Sequence, residues 1–160
     1  MGRYAEDTNV SIEKSMMEIR QTVVTRYGAT GFLLIEDADR NGVGFIYKGR
    51  NVRILMKMPG RDEKRFGLTE TGRERTSDAQ ITAEWQKECR RIWRALALAV
   101  KAKLELVENG APFDAEFMPY LVMANNRTVA DYALPEITKM IESGKVPALL
   151  SDFKREKESE

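Results

Sequence analysis

The spacing of hydrophobic residues changes once in the middle of this chain, and that change constrains the fold more than any other feature. Over Val43–Lys48 and Asn51–Met58 apolar and polar residues alternate, which is typical of half-buried β-strands. Over Ser77–Glu108 apolar residues recur at every third or fourth position, which is typical of an amphipathic helix. A run of strands followed by a long helix predicts an α+β domain.

Three consecutive strands are predicted ahead of the long helix. The first covers Thr30–Glu36, and the turn after it ends with the pair Asn41-Gly42. The second and third are separated by Gly49-Arg50, a glycine-first pair of the kind found in type II′ hairpins. We therefore expect a three-stranded antiparallel meander with helices packed on one face.

The long helix has two chemically different sides. The polar segment 60–76 before it predicts a surface loop anchored by Phe66 and Leu68. Ser77 and Gln80 have the spacing of a capping box at the start of the helix. At 1.5 Å per residue the helix is roughly 45 Å long, so part of it extends past the sheet or is interrupted. Its apolar side is formed by Ile81, Trp85, Cys89, Ile92, Leu96, Ala99, Val100 and Val107, with Cys89 as a small core residue.

Two further helices are predicted, one near each end of the chain. The first covers Ser11–Tyr27, with a serine as its N-cap and Gly28 as the glycine that ends it. The last covers Thr128–Ser143, where Thr128 with Asp131 resembles another cap, and Pro135 marks either a kink or a later start. The apolar stripe of the first helix is formed by Ile12, Met16, Ile19, Val23 and Tyr27.

The whole chain is expected to form one domain over residues 1–151, followed by a charged, disordered tail over 152–160. A chain of 160 residues is long enough to bury a core without disulfides or metals. Tyr120–Met123 is expected to add a short strand, and the apolar run Val146–Leu150 is expected to pack on the core.

The residue types that the chain lacks exclude several kinds of chemistry. It has no histidine, which removes the commonest general base and the commonest metal ligand. Its single cysteine excludes an intramolecular disulfide and a zinc site of the usual Cys/His type. No signal peptide or membrane span is evident. We therefore expect a cytoplasmic protein without a cofactor that is not an enzyme, although carboxylate, lysine or tyrosine chemistry stays open.

The net charge of +1 conceals an uneven distribution. Residues 41–103 carry fifteen lysines and arginines against seven acidic residues, a net charge of +8. Residues 1–40 have a net charge of −2 and residues 104–160 a net charge of −5. A basic centre between acidic ends indicates an anionic partner, unless the acidic last third folds over the centre.

Several stretches of the sequence are distinctive when they are taken together. They are Tyr4-Ala5, Val10–Glu13, Arg26–Ala29, Gly49–Arg53, Thr71–Arg73 with Arg75, Trp93–Glu105 and Pro147–Leu150. In these stretches, which span most of the chain, the protein resembles a group of short conserved phage and prophage proteins. The resemblance implies a bacteriophage accessory protein that acts in the host cytoplasm, and it carries over no activity and no catalytic residue.

The leading hypothesis is a non-catalytic nucleic-acid interface built from the basic residues. Contacts to phosphates supply affinity that does not depend on sequence, and cations along a helix face suit a phosphate backbone. Phe66, Trp85 and Trp93 would stack on bases if exposed, although both tryptophans lie on the apolar side of the helix. The alternative is an ordinary solvated face in which Glu84 and Glu88 pair with the cations. The candidate residues are Lys87, Arg90, Arg91, Arg94 and Lys101 on the helix, Arg50, Arg53 and Lys57 on the meander, and Arg61, Lys64, Arg65, Arg73 and Arg75 in the polar segment.

Three other hypotheses stay open. The same arginines suit an inhibitor of host defence that binds a host protein or sequesters a small anionic nucleotide. A magnesium-dependent enzyme would use the acidic turn at Glu36, Asp37 and Asp39, although hairpin turns favour such residues for backbone reasons alone. The excess apolar surface of helix 77–108 favours a homodimer.

Overall fold

The chain folds into a helix, a three-stranded antiparallel sheet, a long helix and a final helix, which confirms the α+β prediction. A computed structural model describes residues 8–37 and 40–144; Asp39, the run 146–150 and the tail 152–160 lie outside the described residues. The elements are α1 (Ile12–Arg20) with a π-helical continuation (Gln21–Arg26), β1 (Gly31–Glu36), β2 (Arg40–Tyr47), β3 (Arg50–Lys57), a 3₁₀ turn (Lys64–Gly67), α2 (Asp78–Glu108), α3 (Phe113–Phe117), a second 3₁₀ turn (Met118–Tyr120) and α4 (Val129–Glu142).

The sheet has one covered face and one open face. Phe45 of β2 lies opposite Phe32 of β1 and Val52 of β3, and residues that lie opposite each other share a face. The inner face, which packs against the helices, therefore carries the alternating apolar residues that the sequence predicts. By the same register the outer face carries Gly31, Leu33, Ile35, Arg40, Gly42, Gly44, Ile46, Asn51, Arg53, Leu55 and Lys57.

Both hairpin turns differ from the prediction. Asn41 and Gly42 are part of β2 and not of the turn before it, because the strand begins earlier than predicted. The turn between β2 and β3 is formed by Lys48 and Gly49, one residue earlier than predicted. Their φ angles are +47° and +76°, which is the signature of a type I′ turn and not of the predicted type II′ turn.

The core joins the inner face of the sheet to α1, α2 and α3. Trp93 and Phe117 are fully buried, and the ring of Phe117 meets that of Phe45 edge-on at 5.8 Å. Over its 31 residues α2 is unbroken, and Cys89 on its apolar side is buried as predicted. The core residues are Ile19, Val23, Ala29, Val43, Phe45, Tyr47, Val52, Ile54, Trp93, Leu96, Ala97, Val100, Leu104 and Phe117.

Two of the three predicted helix caps are present. The Ser11 hydroxyl accepts a hydrogen bond from a backbone N–H in the first turn of α1. Thr128 and Asp131 form a reciprocal capping box at the start of α4. Ser77 precedes α2 but its side chain makes no capping hydrogen bond, so the predicted box is wrong there.

The polar segment 60–76 packs beside the start of α2. It contains the first 3₁₀ turn and a single bridge between Leu68 and Glu74. Phe66 is buried as predicted, whereas Leu68 is 41% exposed, so its prediction as an anchor is wrong.

The segment that follows α3 extends the sheet beyond β3. The Val122 N–H donates to the Asn51 carbonyl at 2.8 Å, and Leu121 forms an isolated bridge to β3, as the predicted short strand requires. The turn after it is held by Arg53, whose guanidinium donates to the Asn126 carbonyl at 2.8 Å and to Asn126 Oδ1 at 3.2 Å. The start of α4 is thereby fixed at one edge of the sheet.

Candidate nucleic-acid interface

The five cations predicted on the long helix form one stripe in the structure. Lys87, Arg90, Arg91, Arg94 and Lys101, called the α2 stripe below, lie off the arc that is buried against the sheet. None of the five is buried. At 1.5 Å per residue, the stripe is about 21 Å long, which is enough to contact several phosphates of a nucleic acid.

The carboxylate of Glu88 joins the stripe to the polar segment. Arg91 donates to both oxygens of Glu88, through Nε at 2.7 Å and Nη2 at 2.8 Å, and both side chains are largely buried. Arg65 Nη1 lies 3.5 Å from the same carboxylate. Lys87 lines the same cleft beside Phe66. The predicted pairing of Glu88 with a stripe cation is therefore confirmed.

Arg94 is tied to the first helix. Its Nη1 donates to Glu18 Oε2 at 2.5 Å, and both side chains are partly buried. Hydrogen bonds between ionised groups of this kind are stronger than neutral ones. The two residues are 76 positions apart, so no local pattern in the sequence pointed to this pair.

Ion pairs also engage three of the four arginines of the polar segment, Arg65 among them. Arg61 pairs with Asp78 at the start of α2, and Arg75 lies 3.6 Å from Glu84, six residues further along the helix. Within residues 8–37 and 40–144, the candidate cations that make no ion pair and no side-chain hydrogen bond are Lys57, Lys64, Arg73, Arg90 and Lys101.

The meander does not add its three cations to the α2 stripe. Arg50 makes a bidentate contact with Asp114 of α3, in which Nε donates to Oδ1 and Nη2 donates to Oδ2, both at 3.0 Å. These hydrogen bonds and the charge of Asp114 raise the pKa of Arg50. Arg53 and Lys57 point from the outer face of the sheet, whereas α2 packs on the inner face. The sheet therefore separates these two cations from the stripe.

Two of the three candidate stacking aromatics have buried rings. Trp93 is completely buried and Phe66 is 5% exposed. Trp85 is half-buried, and its indole Nε1–H donates to the Pro59 carbonyl at 2.9 Å. The expectation that both tryptophans are core residues is confirmed for Trp93, whereas Trp85 is only partly covered. Bases therefore cannot stack on Phe66 or Trp93.

Among the described residues, three carboxylates from outside the basic centre 41–103 pair with its cations. Glu18 pairs with Arg94, Asp114 pairs with Arg50, and Glu116 lies 3.6 Å from Lys103. With these three carboxylates included, the net charge of +8 for residues 41–103 falls only to +5. Within the described residues, the acidic last third supplies two of the three carboxylates, Asp114 and Glu116. The third, Glu18 of α1, is the one that pairs with a residue of the α2 stripe.

The described part of the acidic turn makes hairpin contacts. Asp37 lies 3.8 Å from Arg40, and its backbone N–H donates to the Arg40 carbonyl at 3.0 Å. Asp39 is outside the described residues. Across the described ranges, no group of three or more His, Cys, Asp or Glu side chains is arranged to hold a metal ion.

Two hollows of the molecule were not predicted from the sequence. One, of about 450 Å³, lies on the outer face of the sheet around Gly44. The other, of about 400 Å³, lies between α1 and α2 beside Trp85 and includes the carboxylates of Glu13 and Glu36 in its lining. Residues far apart in the chain line both hollows, which is why no sequence motif marks them.

The fold and the site define a small α+β protein with a cationic helix face. No protein-family model matches this chain, and no match is found among the curated proteins or the solved structures. Within the described residues, no helix is both long enough and apolar enough to span a bilayer.

Proposed function

We propose that this protein is a non-catalytic nucleic-acid-binding protein that contacts the phosphate backbone along the α2 stripe. The observation that carries the proposal is the positive charge that ion pairs leave uncompensated. Arg90 and Lys101 make no ion pair with another described residue, and the basic centre keeps a charge of +5 after the three outside carboxylates that pair with it in the described part of the chain are included. A solvated phosphate backbone is the partner that such a surface fits best.

The expected mode of binding follows from the burial of two candidate stacking rings. Phe66 and Trp93 are buried, so bases cannot stack on them. We therefore expect contacts to phosphates rather than to bases, with weak sequence preference and steep dependence on salt. The resemblance to phage and prophage proteins suggests that this binding serves replication, recombination or takeover of the host, in the host cytoplasm.

Sequestration of a small anionic nucleotide fits the geometry less well. In the cleft beside Phe66, three cations face three carboxylates, so the lining has no excess of positive charge. The cations are Arg65, Lys87 and Arg91, and the carboxylates are Glu70, Glu84 and Glu88.

A charge-reversal experiment tests the proposal. Arg90→Glu/Lys101→Glu should weaken binding to duplex DNA or RNA at least about tenfold at ~50 mM salt, and should reduce the salt slope by about two phosphate contacts. The matched control Arg20→Glu/Lys48→Glu makes the same change in net charge at exposed positions off the stripe. It should keep most of the affinity.

A third variant should act in the opposite direction. Glu18→Gln removes the charge that pairs with Arg94, so it should tighten binding a few-fold by returning one cation to the stripe. The proposal is wrong if the unaltered protein binds neither single- nor double-stranded DNA or RNA at ~50 mM salt, where electrostatic contacts dominate. Equal losses for the stripe variant and its control would also refute it.

A further inference from the structure

Exposed hydrophobic side chains are concentrated on two surfaces of the molecule. Among the described residues, thirteen large hydrophobic side chains are more than a third exposed. Eight of them lie on α4 or on the outer face of the sheet. Apolar surface gathered in this way marks an interaction site more often than scattered exposure does. The eight are Leu33, Ile46, Leu55, Tyr132, Leu134, Ile137, Met140 and Ile141.

The outer face has the shape of a shallow trough. Gly42 and Gly44 carry no side chain there, and Leu33, Ile46 and Leu55 stand around them. The hollow of about 450 Å³ opens beside Gly44, and Leu33 and Ile46 are part of its lining. A trough flanked by aliphatic side chains accepts the ridge of an α-helix.

The apolar side of α4 has no partner in the described structure. No residue of α4 is buried, although Val129, Ala133, Ile137 and Met140 follow one another at helical spacing. Ile141 widens the same apolar side. A 14-residue helix with an uncovered apolar side is marginal in water by itself, so a surface that covers this side would stabilise it.

The two surfaces have opposite charge. On the outer face the charged residues are Arg40, Arg53 and Lys57, although Arg40 also pairs with Asp37. In α4, by contrast, three acidic residues outnumber one lysine, so the helix has a net charge of −2. Opposite charge around matching apolar surfaces favours their contact.

The contacts that fix the start of α4 argue against closure onto its own sheet. The capping box at Thr128, the bridge from Val122 to Thr128 and the clamp from Arg53 to Asn126 hold it in place. In this position α4 leaves the outer face of its own sheet open. Swinging the helix over that face would break these contacts, whereas docking on another molecule keeps them.

We propose that the occupant is a second copy of this chain, and that two copies exchange α4 helices so that each helix lies in the trough of the partner. Each copy then supplies one helix and one trough, so a two-fold arrangement satisfies both surfaces and closes the assembly. The contact lies on the opposite side of the sheet from α2, so the α2 stripe stays free in both copies.

The size of the contact predicts a weak dimer. An α-helix of about 21 Å by 10 Å has a footprint on the order of 200 Å². Two helices and two troughs therefore bury on the order of 800 Å², below the ~1,200 Å² at which standard interfaces begin. We expect dissociation in the micromolar range or weaker, so the test needs a concentration series.

Sedimentation equilibrium of the full chain from about 5 to 500 µM tests the proposal. The unaltered protein should shift from monomer to dimer over this range. Ile137→Asp on α4 and Leu33→Lys in the trough should each raise the dissociation constant at least about tenfold. Thr138→Asp, which makes the same charge change on the polar side of α4, should leave it within about twofold. Because residues 33, 137 and 138 are exposed or lie on an uncovered helix, circular dichroism should show that all three variants stay folded.

Each other result would overturn the proposal. A monomer at 500 µM with α4 amides protected from hydrogen exchange would mean closure onto its own sheet. Loss of the dimer with Ile137→Asp alone would mean that helices pair with helices. A dimer that neither variant weakens would mean that another surface is used. None of these results bears on nucleic-acid binding, which uses the opposite side of the sheet.

Discussion

Two glycines of β2 sit two positions apart and face different constraints. A Cβ atom added to Gly42 would lie 1.9 Å from the Ile54 carbonyl oxygen, because the backbone of β3 approaches closely there. A Cβ added to Gly44 would lie 3.5 Å from the Val52 carbonyl oxygen, which is ordinary contact. Only the first position therefore requires glycine for the strand pairing.

This difference gives a prediction with an internal control. Gly42→Ala should lower the free energy of unfolding by about 1–3 kcal/mol, because either the β2–β3 pairing or the added methyl group must shift. Gly44→Ala should instead raise it by about 0.4–1 kcal/mol, because alanine has less conformational freedom than glycine in the unfolded chain. Urea unfolding of both variants measures the difference, and equal stabilities would show that β3 does not approach Gly42 this closely.

The sequence identifies the charged residues of the site but not their partners. Arg91 and Glu88 are one helical turn apart, so their pairing follows from helix geometry. Arg94 with Glu18 and Arg50 with Asp114 are joined across 76 and 64 residues. Such pairs depend on how helices and strands pack, which one sequence does not specify.

At the scale of elements, the hydrophobic period of the sequence predicted the bounds of helices and strands well. The residue types in the turns predicted the hairpins poorly. The period reports which side chains must be buried, so β3, α1 and α2 were placed close to their observed bounds. The hairpin turn was misplaced by one residue because Lys48 adopts a positive φ, which a lysine seldom does. Pro135 neither ends nor delays α4, which runs through it.

The capping box of α4 gives the prediction at this scale. Thr128→Ala removes the side-chain acceptor for the Asp131 N–H and should destabilise α4 by about 1 kcal/mol. Because α4 has no buried residue, the loss should be local and should leave the unfolding of the sheet unchanged. Hydrogen exchange of α4 amides should accelerate about fivefold, while amides of β2 keep their rates.

The same box should make α4 sensitive to acid. The backbone N–H of Thr128, and then its side chain, lower the pKa of Asp131 below its ordinary value. Since the folded pKa is the lower one, the contribution of the carboxylate is fully present above about pH 4, the ordinary value for aspartate. It is lost as the pH falls through the lowered pKa. Asp131→Asn should therefore flatten the pH dependence of α4 protection, and a persisting dependence would assign it to another group.

At the scale of the whole molecule, the sheet divides two surfaces with different chemistry. One side presents the cationic stripe of α2, and the other presents an apolar trough. The sequence indicated both charge excess and apolar excess but placed the expected dimer contact on helix 77–108. Much of the apolar side of that helix packs in the core, where Trp93, Leu96 and Val100 are buried.

If both proposals hold, dimer formation should matter only for long nucleic acids. A stripe of about 21 Å covers about 6 base pairs at 3.4 Å each, so a 12-base-pair duplex engages one copy. Because the two stripes face away from each other in such a dimer, only a duplex long enough to bend can engage both copies. A duplex of about 150 base pairs, close to the persistence length of DNA, can do so, and the second contact then benefits from a high effective concentration. Ile137→Asp and Leu33→Lys should therefore leave affinity for the short duplex within about twofold and weaken binding to the long one at least about tenfold.

The two variants change the net charge in opposite directions, so a loss that they share cannot be electrostatic. Fluorescence anisotropy with both duplexes at equal salt measures the effect, and Thr138→Asp should behave like the unaltered protein on each. Losses of equal size on the short and long duplexes would mean that the trough or α4 touches nucleic acid directly. Unchanged affinity on both, in protein shown to dimerise, would mean that the two stripes of a dimer do not bind one duplex together.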